Sequence, residues 1–483
     1  MELDNIIQNN LQRLNESAEL RKRNIVGVHL NACMERVADM STELSIIIEE
    51  TKSEAGMMRK ICERVSQAIE TAAEGCITAT EYVQKSMAKQ QVYVFVGTHW
   101  MPCKMQVFYD FVKDVCYKVG LPESIVEAPD RMCKMFEQVA FRVARDRECV
   151  VPHDGVWINM QNGTLEIDSD GTTRLREHNK ADFFTYVLPY AYTPSAFCPA
   201  WHAFLDQVMP ETEMQQLFGE YIGYCFTQGL KLEKMAILYG SGANGKSVAT
   251  DVVAELLGRM NVSHVDLEKL TTDENHRFQI EGKLANISQE NGVNVQYSTL
   301  KNLVSGEPVM VKTLYKDARL MTNYGKLIAS YNTLPKTENT YGFFRRWLLF
   351  PFNVTISEAK RDVRLKDKLC QELPGILNWV LCCLRELLRQ KAFTESPVCN
   401  KALEEYKLNC NSALRFMEEG YVVSNEGRYT LKELYAEYLT FCHEENITNR
   451  YGRNNFMQQI QTIGVEKHKS NGLCYLNVMK KAE

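Results

Sequence analysis

Apolar residues recur at helical spacing through the first ninety positions, as at Ile61, Val65 and Ile69, and Gly and Pro are nearly absent there. This pattern predicts a helical region over residues 1–90. Arg21, Lys22 and Arg23 read as a solvated helix face within it, with a nucleic-acid contact as the alternative. The pattern changes over 91–195. Residues 92–96 are a strand candidate followed by Gly97, and 156–159 and 164–167 read as short strands with Asn-Gly and Asp-Gly turns between and after them. Helical spacing returns over 196–233, where Trp201, Phe204 and Leu205 share a face. Residues 91–233 are therefore a mixed, then helical, collar or oligomerisation region.

From 234 to about 355 strands and helices alternate, the pattern of an α/β fold. Residues 364–395 read as helix, with Trp379, Val380 and Leu384 in the core. From about 411 the order is helix, strand, helix, helix, strand. That order suits a small winged helix-turn-helix over 411–483, with Gly464 and Asn471-Gly472 in its turns.

The chain has 483 residues, 45% hydrophobic and 24% charged. This balance is globular and excludes a disordered or fibrous chain. At about 100–200 residues per domain the length predicts about three or four domains. The net charge of −5 excludes a basic coat protein, so any nucleic-acid contact must rest on local clusters of Lys and Arg. No apolar run reaches the roughly 18–20 residues that span a bilayer. The N-terminus also lacks a basic-then-apolar signal. The expectation is a cytoplasmic protein, bacterial or host, with no membrane partner. Sixteen cysteines are scattered without a CxxC pair. They read as reduced core thiols, with a zinc site assembled from distant cysteines left open.

The sharpest motif is Gly240-Ser241-Gly242-Ala243-Asn244-Gly245-Lys246-Ser247, which fits G-x-x-x-x-G-K-[ST]. A buried-strand run, 235–239, precedes it, and a helix-length apolar segment from Ser247 follows. Glycines let backbone N–H groups close on phosphate oxygens, and the helix N-terminus adds partial positive charge. Lys246 can reach the outer phosphates, and the Ser247 hydroxyl can ligate Mg²⁺. The cofactors expected are ATP and Mg²⁺.

A second buried strand fits 284–289 and ends at Glu290, a carboxylate expected beside the phosphate-loop strand, where it can hold Mg²⁺ and activate water. Gln289 precedes it, so one carboxylate serves both roles. A third strand, 327–331, ends at Asn332, whose amide can position water; a plain turn Asn before Leu334-Pro335 is the alternative. Arg345-Arg346 can reach a neighbouring subunit's γ-phosphate, which requires a homo-oligomer. Residues 301–346 hold eight Lys/Arg against three Asp/Glu, and 309–320 can form a hairpin with Tyr315 and Lys316 near its tip. A cation beside an aromatic there suits a single strand.

This ordered set, with Lys301, Ser305-Gly306-Glu307 and Asn332-Thr333-Leu334-Pro335, resembles the superfamily 3 DNA helicases, most of all the phage, plasmid and poxvirus primase–helicase branch. Upstream, Asn162-Gly163-Thr164-Leu165-Glu166, His178-Asn179-Lys180, Pro189-Tyr190, Cys198-Pro199 and Tyr221-Ile222-Gly223-Tyr224 look like that branch's own N-terminal region. The resemblance implies an AAA+-type ATPase over 234–400, usually a hexameric ring moving on single-stranded and forked DNA. It implies Lys246 and Ser247 at nucleotide and Mg²⁺, Glu290 as the catalytic acid, Asn332 as sensor 1 and Arg346, with Arg345 beside it, as the finger. It places Lys312, Tyr315 and Lys316 in the DNA hairpin.

The one D-x-D, Asp168-Ser169-Asp170, reads as turn chemistry and not as a primase metal site, so a separate primase or initiator is expected. Arg450, Arg453, Asn454 and Asn455 open a recognition-helix candidate, with a subunit contact as the alternative. Two other functions stay open: an origin-binding or DNA-remodelling ATPase that unwinds little, and a monomeric small-molecule kinase.

Overall fold

The computed structural model describes residues 24–79, 91–144, 155–227, 229–289, 294–312, 318–335, 341–358, 361–445, 447, 450–470 and 473–481. Helices α1 (Ile25–Arg36), α2 (Ser41–Glu50) and α3 (Glu54–Ala73) realise the helical spacing at the start of the chain. Asn24 and Ser53 cap α1 and α3 by accepting backbone N–H groups of Val26 and Gly56. Ile61, Val65 and Ile69 are fully buried, as their spacing requires.

The packing does not divide at residue 90. Strand β1 (Ile77–Ala79) pairs with β2 (Val92–Phe95), which pairs with β3 (Trp100–Cys103). Helices α4 (Met105–Lys118), α5 (Glu123–Val126) and α6 (Pro129–Val143) close one hydrophobic cluster that runs from Val26 to Val143. A strand's backbone groups must be satisfied by a neighbour, and for β1 that neighbour lies beyond position 90. The helical region of 1–90 and the start of the expected 91–233 region therefore share one core, and 105–143 is helical where the spacing analysis found only strands.

A three-stranded antiparallel sheet follows: β4 (Val156–Met160), β5 (Gly163–Ile167) and β6 (Thr173–Arg176). The Asp168–Asp170 motif is the β5–β6 turn. Gly171 N–H donates to the Asp168 carbonyl and Thr172 N–H donates to the Asp170 carboxylate. Helices α7 (Pro199–Val208) and α8 (Thr212–Tyr224) then lead into the central sheet.

That sheet is wholly parallel. Its strands are β7 (Met235–Tyr239), β8 (Val262–Ser263), β9 (Ala285–Ser288) and, after the antiparallel hairpin β10 (Val309–Val311) and β11 (Arg319–Met321), β12 (Lys326–Tyr331) and β13 (Trp347–Pro351). The spatial order is β13-β7-β12-β9-β8. Both faces are covered, which is why the strands are near-continuous apolar runs. One cluster holds Val156 to Cys399, so β4, β5, α7 and α8 belong to the same core as the sheet.

Helix α9 (Lys246–Leu257) follows β7; α10 (Tyr297–Ser305) precedes the hairpin. After the sheet come α11 (Leu365–Cys370), α12 (Leu373–Gln390) and α13 (Pro397–Cys410). Val380 and Leu384 are fully buried and Trp379 packs at the edge of the same core. Glu372, at the start of α12, accepts N–H groups of Ala200 (3.2 Å) and Trp201 (3.1 Å), capping α7 from a remote part of the chain.

The last cluster spans Ala413 to Val478. Its elements are α14 (Ser412–Gly420), β14 (Tyr421–Val423), α15 (Leu431–Glu444), α16 (Arg453–Gln461), β15 (Lys467–Ser470), β16 (Leu473–Leu476) and β17 (Val478–Lys480). β15 and β16 form a hairpin and β14 pairs with β17. Gly464 lies in a turn at φ 86°; Asn471 and Gly472 lie outside the described residues. No helix among the described residues is long and apolar enough to cross a membrane.

Removing the Glu372 cap should expose its cost locally. Glu372→Ala is expected to destabilise α7 by about 1–2 kcal/mol. Amide hydrogen exchange at Ala200 and Trp201 should speed up by about tenfold or more, and Glu372→Gln should lose less.

Candidate functional site

The C-terminal ends of β7, β12 and β13 lie level, with Tyr331 beside Tyr239 and Pro351 on its other side. Ligands of open parallel sheets bind at this edge. The glycine loop, 240–245, emerges here and is tied to both neighbouring strands. Gly240 N–H donates to Tyr331 O at 3.2 Å, and Phe352 N–H donates to Tyr239 O at 2.8 Å. The buried Asn244 amide donates to Phe352 O at 3.0 Å, and Ile356 N–H donates to Ala243 O at 2.8 Å. A Cβ on Gly240 would overlap both the Asn244 amide and the Phe352 carbonyl. At Gly245 (φ 88°) it would meet Val208 on α7 at 2.8 Å. The first and last glycines are thus close-approach positions.

Lys246 opens α9 and is 4% exposed. Its ammonium donates to Gly240 O (2.5 Å), Asn244 Oδ1 (3.3 Å) and Asn332 Oδ1 (3.4 Å). These acceptors use all three of its N–H bonds, and all are neutral. Burial lowers the Lys246 pKa, and among the described residues no carboxylate offsets that fall. An anion in the adjoining cavity would supply the missing counter-charge.

That cavity measures about 630 Å³ and is lined by the loop from Gly242 to Val248, by Gln289 and by 330–333. Ser247 is exposed at its wall. Thr250 donates its hydroxyl to the Lys246 and Ser247 carbonyls and accepts from Gln289 Nε2 at 3.4 Å, linking α9 to the end of β9. Ser241 and Ala243 lie in the same exposed turn. Glu290 falls outside the described residues.

The sheet order corrects one expectation. The strand that leads to Glu290 is not beside the loop strand; β12 lies between them, with Ile328 paired to Ala236 on one side and Ile287 on the other. Asn332 is therefore the strand-end residue next to the loop. The far wall carries no signal in the sequence: it is formed by Gln207 from α7, Ile356, and Arg361, Asp362, Val363 and Leu365 beyond β13. No local motif marks them.

Arg345 and Arg346 precede β13, whose start is level with the start of β7. They are a strand length, about 16 Å, from the loop at the opposite end of the sheet. Arg345 is 44% exposed and pairs with Glu233 at 2.5 Å. Arg346 is 15% exposed, donates to Ser305 Oγ at 3.0 Å and to Gly342 O, and shares Glu233. Arg345 is the more accessible of the two.

The hairpin is present, with Val309 opposite Met321 and Val311 opposite Arg319. Exposed Lys312 follows β10; Tyr315 and Lys316 lie outside the described residues.

Residues 77–210 match the family described as D5 N terminal like. Residues 238–346, which hold the glycine loop and the hairpin, match a family of unknown function (DUF5906). Among solved structures, the A form apo structure of the NrS-1 C terminal region-CTR aligns at 13% identity over 83% of this chain and 86% of that one, with a TM-score of 0.46. The apo structure of the NrS-1 C terminal region (305-718) aligns at 12% identity over 86% and 98%, with a TM-score of 0.44.

Two glycine variants separate close approach from backbone preference. Gly240→Ala should cost about 1–3 kcal/mol through overlap with fixed backbone. Gly242→Ala, whose Cβ meets nothing within 4 Å at φ 103°, should cost only about 1–2 kcal/mol of left-handed backbone energy. Urea unfolding midpoints compare them.

Proposed function

We propose that this chain is an ATP-hydrolysing, ring-forming motor of the superfamily 3 helicase type, moving on single-stranded DNA to replicate a phage, plasmid or mobile element. The observation that carries the reading is Lys246: a buried ammonium held, among the described residues, by neutral acceptors, at the mouth of a nucleotide-sized cavity on the C-terminal edge of a parallel sheet. The motif order resembles that branch, and the match of residues 77–210 to the D5 N terminal like family accords with it.

In this reading 240–247 is a P-loop within an AAA+ core. Its N–H groups and Lys246 hold the triphosphate. Ser247 and Glu290 would hold Mg²⁺, which when bound supplies charge neutralisation at the outer phosphates. Glu290 accepts the proton of the attacking water, and Asn332 shifts its amide from Lys246 to orient that water. Gln289 adds no second carboxylate; it steadies the start of α9 through Thr250.

Arg345 and Arg346 lie too far from their own loop to act there and serve a neighbouring copy, which makes the active form an oligomer, most simply a hexamer. Lys312, Tyr315 and Lys316 on the hairpin contact the strand. The C-terminal module acts as a winged helix. Arg453 at the start of α16 also favours a second reading, an origin-binding ATPase that unwinds little.

ATP turnover with and without single-stranded DNA tests this, alongside light-scattering mass. Lys246→Ala and Glu290→Gln should each lower turnover by about 10²–10³, the second with nucleotide binding retained. Arg345→Ala should lose turnover alone and regain part of it when mixed with Lys246→Ala subunits. A monomer whose turnover ignores DNA and survives Arg345→Ala would overturn the proposal.

A further inference from the structure

A second cavity, of about 440 Å³, opens at the other end of the central sheet. Its floor is formed by 282–284 and 322–326, the segments entering β9 and β12. Phe183, Phe184, Tyr186 and Tyr324 give it an aromatic wall, and Lys231, Lys283 and Lys326 line it. No Asp or Glu lines it among the described residues. Three lysines in one cavity wall, with no acid among the described lining residues, repel each other unless something supplies negative charge.

Two of the lysines have local partners. Lys283 donates to the Met260 carbonyl at 2.6 Å. The Lys231 stem lies against Gly306, at the C-terminus of α10, where the last carbonyls favour a cation. Lys326 differs. Among the described residues its ammonium has no recorded hydrogen bond or ion pair and rests 4.2 Å from the Tyr224 ring centroid. Burial pulls its pKa down to about 8, against a small upward pull from Cys225 and with repulsion from Lys231 adding to the fall. Beside it, Phe183 holds φ 53°, a left-handed conformation that is uncommon for a bulky residue.

We propose that this cavity binds the phosphate group of a nucleotide, free or within a strand, with Lys326, Lys231 and Lys283 as its cationic ligands and the aromatic wall as a stacking surface for the base. Charge-assisted contacts to phosphate satisfy the Lys326 ammonium, and Thr185, Thr227 and Asn323 add polar contacts from the same wall. Aromatic side chains stack on any base, so the site takes nucleotides without strict base choice. The site is separate from the glycine loop, with the length of β12 between them, and it stands whether or not the loop hydrolyses ATP.

The test is calorimetric titration of the full chain carrying Lys246→Ala, which weakens the loop site. The probes are inorganic phosphate, deoxythymidine 5′-monophosphate, and an oligo(dT) with and without a 5′-phosphate, at matched ionic strength. Saturable binding is expected for at least one of them. It should weaken about tenfold in Lys326→Met and again in Lys231→Gln, each near one lost charge-assisted contact. Binding of the monophosphate identifies a free nucleotide, binding only of the 5′-phosphorylated strand identifies a strand end, and equal binding of both strands identifies backbone phosphate. Lys231 is exposed, so Lys231→Gln reads the site even if Lys326→Met fails to fold. No saturable binding of any probe, or binding unchanged by Lys231→Gln, would overturn the proposal.

Discussion

The glycine loop is held from both sides, and the rest of the site depends on that. Gly240 takes the last carbonyl of β12, while Asn244 and Ala243 engage the chain that leaves β13. A six-residue turn with three glycines would otherwise have many conformations to lose on folding. Here its ends are set by strands that cannot shift without breaking the parallel ladder. The same anchoring places the Gly240 carbonyl and the Asn244 amide oxygen where they trap the Lys246 ammonium. α7 then packs on Gly245, and Glu372 secures α7 from the start of α12.

Much of this was legible along the chain. β7 and β13 are continuous apolar runs ended by Gly240 and Phe352, β12 is apolar over 327–329 and ends at Asn332, β9 buries the polar Asn286 and Ser288 before Gln289, and the loop motif sits between one such run and a helix. The β10–β11 hairpin also lay where the basic stretch placed it. Strand order was not legible, because which buried strand lies beside which is decided by packing across the sheet. That is why Asn332, and not the end of β9, adjoins the loop.

The first boundary failed for a different reason. Ile77-Thr78-Ala79 is too short to show a period, yet its pairing with β2 ties residues before and after position 90 into one core. The helix α4 did carry a signal, since Phe108, Phe111, Val112 and Val115 recur at helical spacing and are all buried. The cavity wall at Ile356 and at Arg361, Asp362 and Val363 had no such signal; these residues lie outside the strands and meet the loop only through the fold.

β12 has one further consequence. It begins at Lys326, beyond the end of the hairpin at Met321, and stops at Tyr331, one residue before the amide that faces Lys246. Parallel partners grip it on both flanks, so it can neither stretch nor buckle. Six residues in extended form make a strut of about 20 Å. Its two ends, at Lys326 and Tyr331, therefore keep a fixed separation. One stiff member thus joins the hairpin end of the sheet to the loop end.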